Sequence, residues 1–125
     1  MIGSWAVEVA REFTSSHVLG IDISPVPRKN VPGNCEFRLG NINHDLADFA
    51  SGTFDLVHSR FVMGGVTKAQ WPAYIKEIFR ILKPGTGWAQ CSETSLPTWD
   101  GGIPEDSLYL RVCPESGGTD HSIPK

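Results

Sequence analysis

The stretch HVLGIDISP, residues 17–25, decides how the rest of the chain is interpreted. Its apolar run is typical of a strand buried on both faces, and Gly20 leaves room for close approach of another group. The run ends on a carboxylate, Asp22, before Ser24 and Pro25 break the strand. A carboxylate there can accept two hydrogen bonds from a ribose diol, and ligands of open α/β sheets bind outside such strand ends. The alternative is that Asp22 only begins a turn.

Outward from this stretch, hydrophobic periodicity predicts further helices and strands. An apolar stripe predicts a helix over residues 4–13 with Ser4 as its N-cap. A second stripe predicts a helix that starts near a Thr67–Gln70 capping box and ends at the Lys-Pro-Gly turn of residues 83–85, because proline cannot continue it. Weaker patterns predict short helices at residues 45–49 and 106–112. The predicted strands are residues 18–22, 35–39, 53–60 and 88–92.

Polar residues follow the other predicted strands as Asp22 follows the first. Asn41 carries an amide suited to the edge of an adenine ring, or it tolerates a turn. His58 is a candidate general base because imidazole titrates near neutral pH; alternatively, the backbone satisfies it at the strand end. Arg60 either anchors a loop or pairs with a substrate carboxylate. Gly3 would let an anion approach a helix N-terminus, although an ordinary loop glycine explains it equally well.

Composition excludes several classes of function. A length of 125 residues allows one domain at most. The net charge is −3 and no basic cluster is present, so nucleic-acid binding has no electrostatic support. The chain has no apolar run near the about 20 residues that span a bilayer, and Glu8 and Glu12 argue against a signal peptide. Three widely spaced cysteines indicate reduced thiols. No metal-ligand motif is present. The expected compartment is the cytoplasm, with the nucleus as the alternative.

Three motifs together resemble a known family. GIDISP (residues 20–25), FDLVHSR (54–60) and FRILKPGTGW (79–88) are similar to the Rossmann-like S-adenosylmethionine-dependent methyltransferases, in particular those of fungal secondary metabolism. The likeness covers about residues 3–112. It implies an α/β fold with a mostly parallel sheet flanked by helices, S-adenosylmethionine as cofactor and a small-molecule methyl acceptor. Binding of NAD is another alternative, but it needs a GxGxxG loop that this chain lacks.

The resemblance also implies roles for individual residues. Asp22 matches the acid that holds the cofactor ribose, and Asn41 stands where relatives often carry an aspartate near the adenine amino group. Ser59 and Arg60, with His58 as the candidate base, match the segment that faces the methionine end and the acceptor. Gly3 matches the last glycine of the family's glycine-rich loop.

The chain departs from the family pattern at both ends. The family's first strand and its earlier glycines would precede Gly3, and its final strand pair would follow the chain. We therefore expect an incomplete Rossmann-like sheet, with a methyltransferase-like core at residues 1–95 and an irregular, partly disordered segment at residues 96–125. Two hypotheses follow: a methyltransferase, or a non-catalytic relative that acts as a partner subunit or is a pseudoenzyme. Three alternatives remain for the sheet itself: the strands close up around the gap, a homo- or hetero-oligomer completes the sheet, or the chain is a fragment of a longer protein.

Overall fold

The structure is a computed structural model that describes residues 3–26, 29–62, 64–94 and 107–112. Most of the segment predicted to be irregular, residues 96–106 and 113–125, lies outside this described part, and so does Met63. The chain divides into two compact units, Met1–Leu46 and Ala47–Lys125. No helix in the described ranges is long and apolar enough to span a membrane. The predicted domain boundary at residues 95 and 96 stays a prediction.

The first unit is a helix packed on a small parallel sheet. Helix α1 (Ser4–Glu12) precedes strands β1 (Val18–Asp22) and β2 (Cys35–Leu39). The two strands pair in parallel, with Gly20 opposite Phe37. A short 3₁₀ helix, Asp45–Asp48, follows and crosses into the second unit. These elements agree with the predicted positions to within one or two residues.

The core of the first unit depends on small residues. Buried Ala6, Ala10 and Cys35 form its centre, and Trp5, Val18, Val31 and Phe37 pack around them. The Phe37 ring lies so close to β1 that a Cβ atom on Gly20 would be 2.4 Å from it. That separation is far below van der Waals contact, so only glycine fits opposite this phenylalanine.

Asn34 joins the end of α1 to the start of β2. Its Nδ2 group donates to the carbonyl oxygens of Ala10 at 2.9 Å, Phe13 at 3.2 Å and Ser16 at 2.8 Å. The last carbonyls of a helix have no intrahelical partner, and here the two N–H donors of one amide are shared among three acceptors in that region. The main-chain carbonyl of Asn34 accepts a hydrogen bond from the Val18 N–H at 2.8 Å, and this bond also fixes the start of β1.

The second unit is a mixed sheet with one helix. Strand β3 (Leu56–Arg60) pairs in parallel with β4 (Trp88–Thr94), and β5 (Ser107–Val112) pairs antiparallel with β4. Helix α2 (Trp71–Ile81) connects β3 to β4. The expected helix at residues 106–112 is therefore wrong, because residues 107–112 form the edge strand β5. An antiparallel edge on a parallel sheet is common in α/β proteins.

The core of this unit combines larger side chains on its helix with small ones on a strand. Helix α2 buries Tyr74, Ile78 and Ile81, and β4 buries Ala89 and Cys91. The helix ends where predicted: Leu82 already has extended backbone angles.

Strand β3 differs from its prediction. It begins at Leu56, because Phe54 makes only an isolated bridge to Leu82. The side chain of Leu56 is 47 % exposed.

The helix starts also differ in detail from their predictions. Ser4 is the first residue of α1, and Gly3, in a left-handed conformation with φ 78°, takes the N-cap position. Helix α2 starts at Trp71. One of the two hydrogen bonds of the predicted capping box is present: the Gln70 side chain accepts from the Thr67 N–H at 2.9 Å. This bond lies just before the first residue of the helix. The coarse prediction of a mixed α/β fold with parallel strands is confirmed.

Candidate functional site

Asp22 lies at the carboxyl end of β1, as predicted. Its Oδ1 atom accepts a hydrogen bond from the Ser24 N–H at 2.8 Å, so the carboxylate begins a tight turn. This is the structural role that the sequence left open, and it does not compete with ligand binding. A carboxylate offers about four acceptor positions on two oxygens, and this turn uses one of them. The turn holds the half-buried carboxylate in one orientation at the strand end.

Asn41 lies beside the same edge of the sheet. Gly40, which immediately precedes it, donates its N–H to the carbonyl oxygen of Asp22 at 2.9 Å. The side-chain oxygen of Asn41 accepts a hydrogen bond from the Asn43 N–H at 2.9 Å. The main-chain N–H of Asn41 donates to Asp45 Oδ2 at 2.6 Å. Local hydrogen bonds therefore order this turn and bring Asn41 next to the end of β1.

Gly3 has a packing reason to lack a side chain. A Cβ atom there would be 2.9 Å from both the Phe37 ring and Val26. The space beside this glycine is therefore occupied by the protein itself, and its positive φ independently favours glycine. A contact between Gly3 and a cofactor stays a prediction.

Ser59 is buried, with only 5 % of its surface exposed. Its Oγ atom accepts a hydrogen bond from the Tyr74 hydroxyl at 2.7 Å, which ties β3 to α2. Burying a hydroxyl without a partner is costly, so each of these two groups satisfies the other. This bond gives Ser59 a structural role, and its predicted contact with the cofactor stays untested.

His58 lies opposite Gln90 in the β3–β4 register. Burial lowers the pKa of the imidazole; a side-chain hydrogen bond with Gln90 acts in the opposite direction, and the charge of Arg60 lowers the pKa further. The net shift is downward, so His58 is neutral at pH 7 and its neutral ring can accept a proton. Both ring nitrogens are screened from solvent. An acceptor would reach them only if the covering groups moved.

Arg60 and Phe61 form an exposed pair at the end of β3. The Arg60 guanidinium lies 4.6 Å from the centroid of the Phe61 ring. Phe61 has φ 53°, a left-handed conformation that costs a bulky residue about 1–3 kcal/mol. Its N–H donates to the Ser92 carbonyl at 3.0 Å, which fixes this backbone against β4.

The predicted site residues divide between the two units. Gly3, Asp22 and Asn41 belong to the first unit, where the hydrogen bond between Gly40 and Asp22 places Asn41 beside Asp22. His58, Ser59 and Arg60 are consecutive on β3 in the second unit. Gln90, which lies opposite His58 on β4, was not predicted as a site residue. An alternating strand pattern around residue 90 was its only signal.

The described residues contain no group of His, Cys, Asp and Glu side chains that could hold a metal ion. Cys35 and Cys91 are both buried. Desolvation, reinforced by the neighbouring Glu36 charge, raises the pKa of the Cys35 thiol and keeps it protonated at neutral pH. Cys35 therefore does not show the properties of an activated nucleophile.

Comparison with known proteins agrees with this arrangement of elements. The family model described as "Methyltransferase domain" matches residues 2–85, about two thirds of the chain. The chain belongs to this methyltransferase family. The matched range includes both units' predicted site residues, from Gly3 to Arg60, and ends at the Lys-Pro-Gly turn after α2.

Individual relatives are fungal proteins. The chain is 32% identical over 111 residues to the secondary metabolism regulator LAE1 of Cochliobolus heterostrophus, covering 87% of this chain and 36% of that protein. It is 28% identical over 127 residues to the methyltransferase pytC of Aspergillus terreus, covering 94% and 38%. It is 33% identical over 86 residues to the methyltransferase str3 of Strobilurus tenacellus, covering 69% and 30%. The chain thus spans about a third of the length of these relatives.

Proposed function

We propose that this chain binds S-adenosylmethionine and transfers its methyl group to a small-molecule acceptor in fungal secondary metabolism. Membership of the methyltransferase family and the names of the fungal relatives support this proposal. The single observation that carries it is the fixed carboxylate of Asp22 at the carboxyl end of a parallel strand. The proposed compartment is the cytoplasm or the nucleus, and the proposed partners are small molecules.

The residues at the end of β1 fit the ribose part of the cofactor. Asp22 is half-buried and its turn to Ser24 leaves acceptor positions for two hydroxyl groups. Asn41, ordered beside that strand end, would face the adenine edge. When bound, the cofactor supplies a methyl group made electrophilic by its positively charged sulfur.

The protein's own contribution to methyl transfer is mainly positioning. Holding the acceptor in line with the methyl group converts a two-molecule reaction into an effectively intramolecular one. The acceptor oxygen or nitrogen would form the new bond to the methyl carbon as the methyl–sulfur bond breaks and its electron pair returns to sulfur. The proton of the acceptor would pass to water or to a ring nitrogen of neutral His58. Because the nitrogens of His58 are screened from solvent, we assign it an optional role as base.

Titration calorimetry with S-adenosylhomocysteine, the product form, tests the proposal without turnover. We expect micromolar binding to the 125-residue chain and an affinity at least about tenfold lower for Asp22→Ala, because charge-assisted hydrogen bonds to two hydroxyls are lost. Asp48→Ala, which removes an exposed carboxylate elsewhere in the chain, is the control and should bind normally. Equal affinities for the wild type and Asp22→Ala would contradict the ribose assignment.

A second candidate function is a non-catalytic subunit of a larger assembly. Within the described strands, β1 pairs only with β2, and β3 pairs only with β4. A strand edge that is open in this way can pair with a strand from a partner chain or another copy. Light scattering with activity measurements distinguishes the candidates: a folded monomer that methylates an acceptor alone would contradict the subunit role.

A further inference from the structure

The Arg60–Phe61 pair has features that strand packing alone does not explain. Phe61 is 51 % exposed although its ring is apolar. It also adopts a left-handed backbone conformation that a bulky side chain avoids. In the described part of the chain, the one other non-glycine residue with positive φ is Asn30, a residue type that tolerates it. An exposed aromatic ring held in a strained conformation indicates a functional constraint.

Arg60 adds a cation with a fixed approach. Its guanidinium covers the Phe61 ring at 4.6 Å, and it forms no ion pair with any side chain that the structure describes. A guanidinium on an aromatic face keeps its outward N–H groups for a planar anion, which it binds through two parallel hydrogen bonds. Arg60 and His58, two residues apart on one strand, lie on the same face of the sheet.

We propose that Arg60 and Phe61 recognise the methyl acceptor, and that they select an acceptor carrying a carboxylate on an aromatic ring. This inference rests on the proposed methyltransferase function and names its substrate class. Arg60 binds the carboxylate, while the exposed part of the Phe61 ring contacts the aromatic ring edge to face. The effect of the Arg60 charge on the pKa of His58 shows that the cation acts at the same strand end as the candidate base.

The carboxylate could also come from the methionine part of the cofactor. The two sources share one chemistry, and they differ in the aromatic ring, which the methionine end lacks. A cofactor carboxylate needs Arg60 only, whereas an aromatic carboxylate needs Phe61 as well. Separate titrations with S-adenosylhomocysteine and with a small aromatic acid therefore distinguish them.

The experiment titrates the full chain with benzoate, benzamide and cyclohexanecarboxylate, followed by NMR shifts of the Phe61 amide. Benzamide lacks the charge and cyclohexanecarboxylate lacks the aromatic ring. We expect benzoate to bind at least about fivefold more tightly than either analogue, because only benzoate uses both side chains. Absence of benzoate binding, or equal affinity for the three probes, would overturn the proposal.

Variants assign the effect to the pair. Arg60→Gln should weaken benzoate binding about tenfold, and Phe61→Leu should weaken it about threefold. Arg38→Gln, on the exposed side of β2, is the matched control and should have no effect. Calorimetry with S-adenosylhomocysteine should give the same affinity for Arg60→Gln and wild type. If Arg60→Gln loses S-adenosylhomocysteine and keeps benzoate, Arg60 serves the cofactor and the acceptor proposal is wrong.

The two proposals fail in different ways. If Asp22, in the first unit, does not bind the ribose, Asp22→Ala will bind S-adenosylhomocysteine as tightly as the wild type. Loss of the acceptor assignment appears as unchanged benzoate binding in Arg60→Gln, a residue of the second unit. Both variants change half-buried or exposed side chains, so amide spectra should show that each remains folded.

Discussion

The two compact units hold their strand-end side chains by different means. In the first unit, Asp22 and Asn41 accept hydrogen bonds from main-chain N–H groups two residues further along. In the second unit, Ser59 is held by the hydroxyl of Tyr74, fifteen residues away, and His58 lies opposite Gln90 on another strand. The first arrangement is local, and the second exists only once α2 and β4 have packed against β3. Changes to core packing should therefore disturb the second set of residues more than the first.

The largest effect is expected from Ile78→Ala in the second unit. Ile78 is 1 % exposed, and emptying such a site costs about 2–5 kcal/mol of unfolding free energy. Urea denaturation measures the loss. Ile23→Ala is the matched control, because Ile23 is 73 % exposed and should change stability little. Amide exchange should accelerate around Ser59 and leave the turn at Asp22 unchanged; uniform acceleration in both units would contradict the comparison.

Gly20→Ala tests the first unit, where strand packing supports a locally built turn. The added methyl group would lie 2.4 Å from the Phe37 ring, and such overpacking costs about 1–3 kcal/mol. The loss should shrink when Phe37 is replaced by alanine in the same chain, as a double-mutant cycle would show. Gly33→Ala is the control, since a Cβ atom there meets nothing within 4 Å. Equal destabilisation by both glycine variants would contradict the packing explanation.

Tyr74→Phe removes only the hydroxyl that donates to Ser59. We expect a loss of about 1 kcal/mol in unfolding free energy, because a buried hydroxyl loses its partner. Adding Ser59→Ala should cost less than it does in the wild type, since the pair is already broken. Titration of Tyr74→Phe with S-adenosylhomocysteine tests whether the Tyr74–Ser59 bond matters for cofactor binding. Unchanged affinity supports a purely structural role for Ser59, and a large loss would support its predicted cofactor contact.

The smallest effect is a pH dependence from His58. Its pKa is lowered in the folded chain, so between that value and about 6.5 the unfolded chain binds more protons. Stability should therefore fall as pH falls through this window and stay level above it. His58→Gln should flatten that part of the profile, whereas His44→Gln, at an exposed turn, should not. An NMR titration giving His58 an ordinary or raised pKa would contradict the prediction.

The local arrangement was predictable from sequence, and the tertiary one was not. The end of β1 at Asp22, the turn at Asn41 and the stop of α2 before Pro84 all follow from neighbouring residues. Strand β5 was predicted as a helix because its partner, β4, is distant in sequence. The bond between Tyr74 and Ser59 escaped notice for the same reason: tyrosine on an apolar stripe does not reveal which strand its hydroxyl will meet.

The contacts of Asn34 have a consequence for the order of events during synthesis. Helix α1 has nine residues, too few to be stable alone in water. The Asn34 amide that hydrogen-bonds the carbonyls of Ala10 and of the C-cap Phe13 lies 24 and 21 residues further along the chain. At a ribosomal rate of about 5–20 residues per second, the first helix waits roughly a second or more for its clamp. The N-terminal segment should therefore leave the ribosome unstructured and become helical only when Asn34 has emerged.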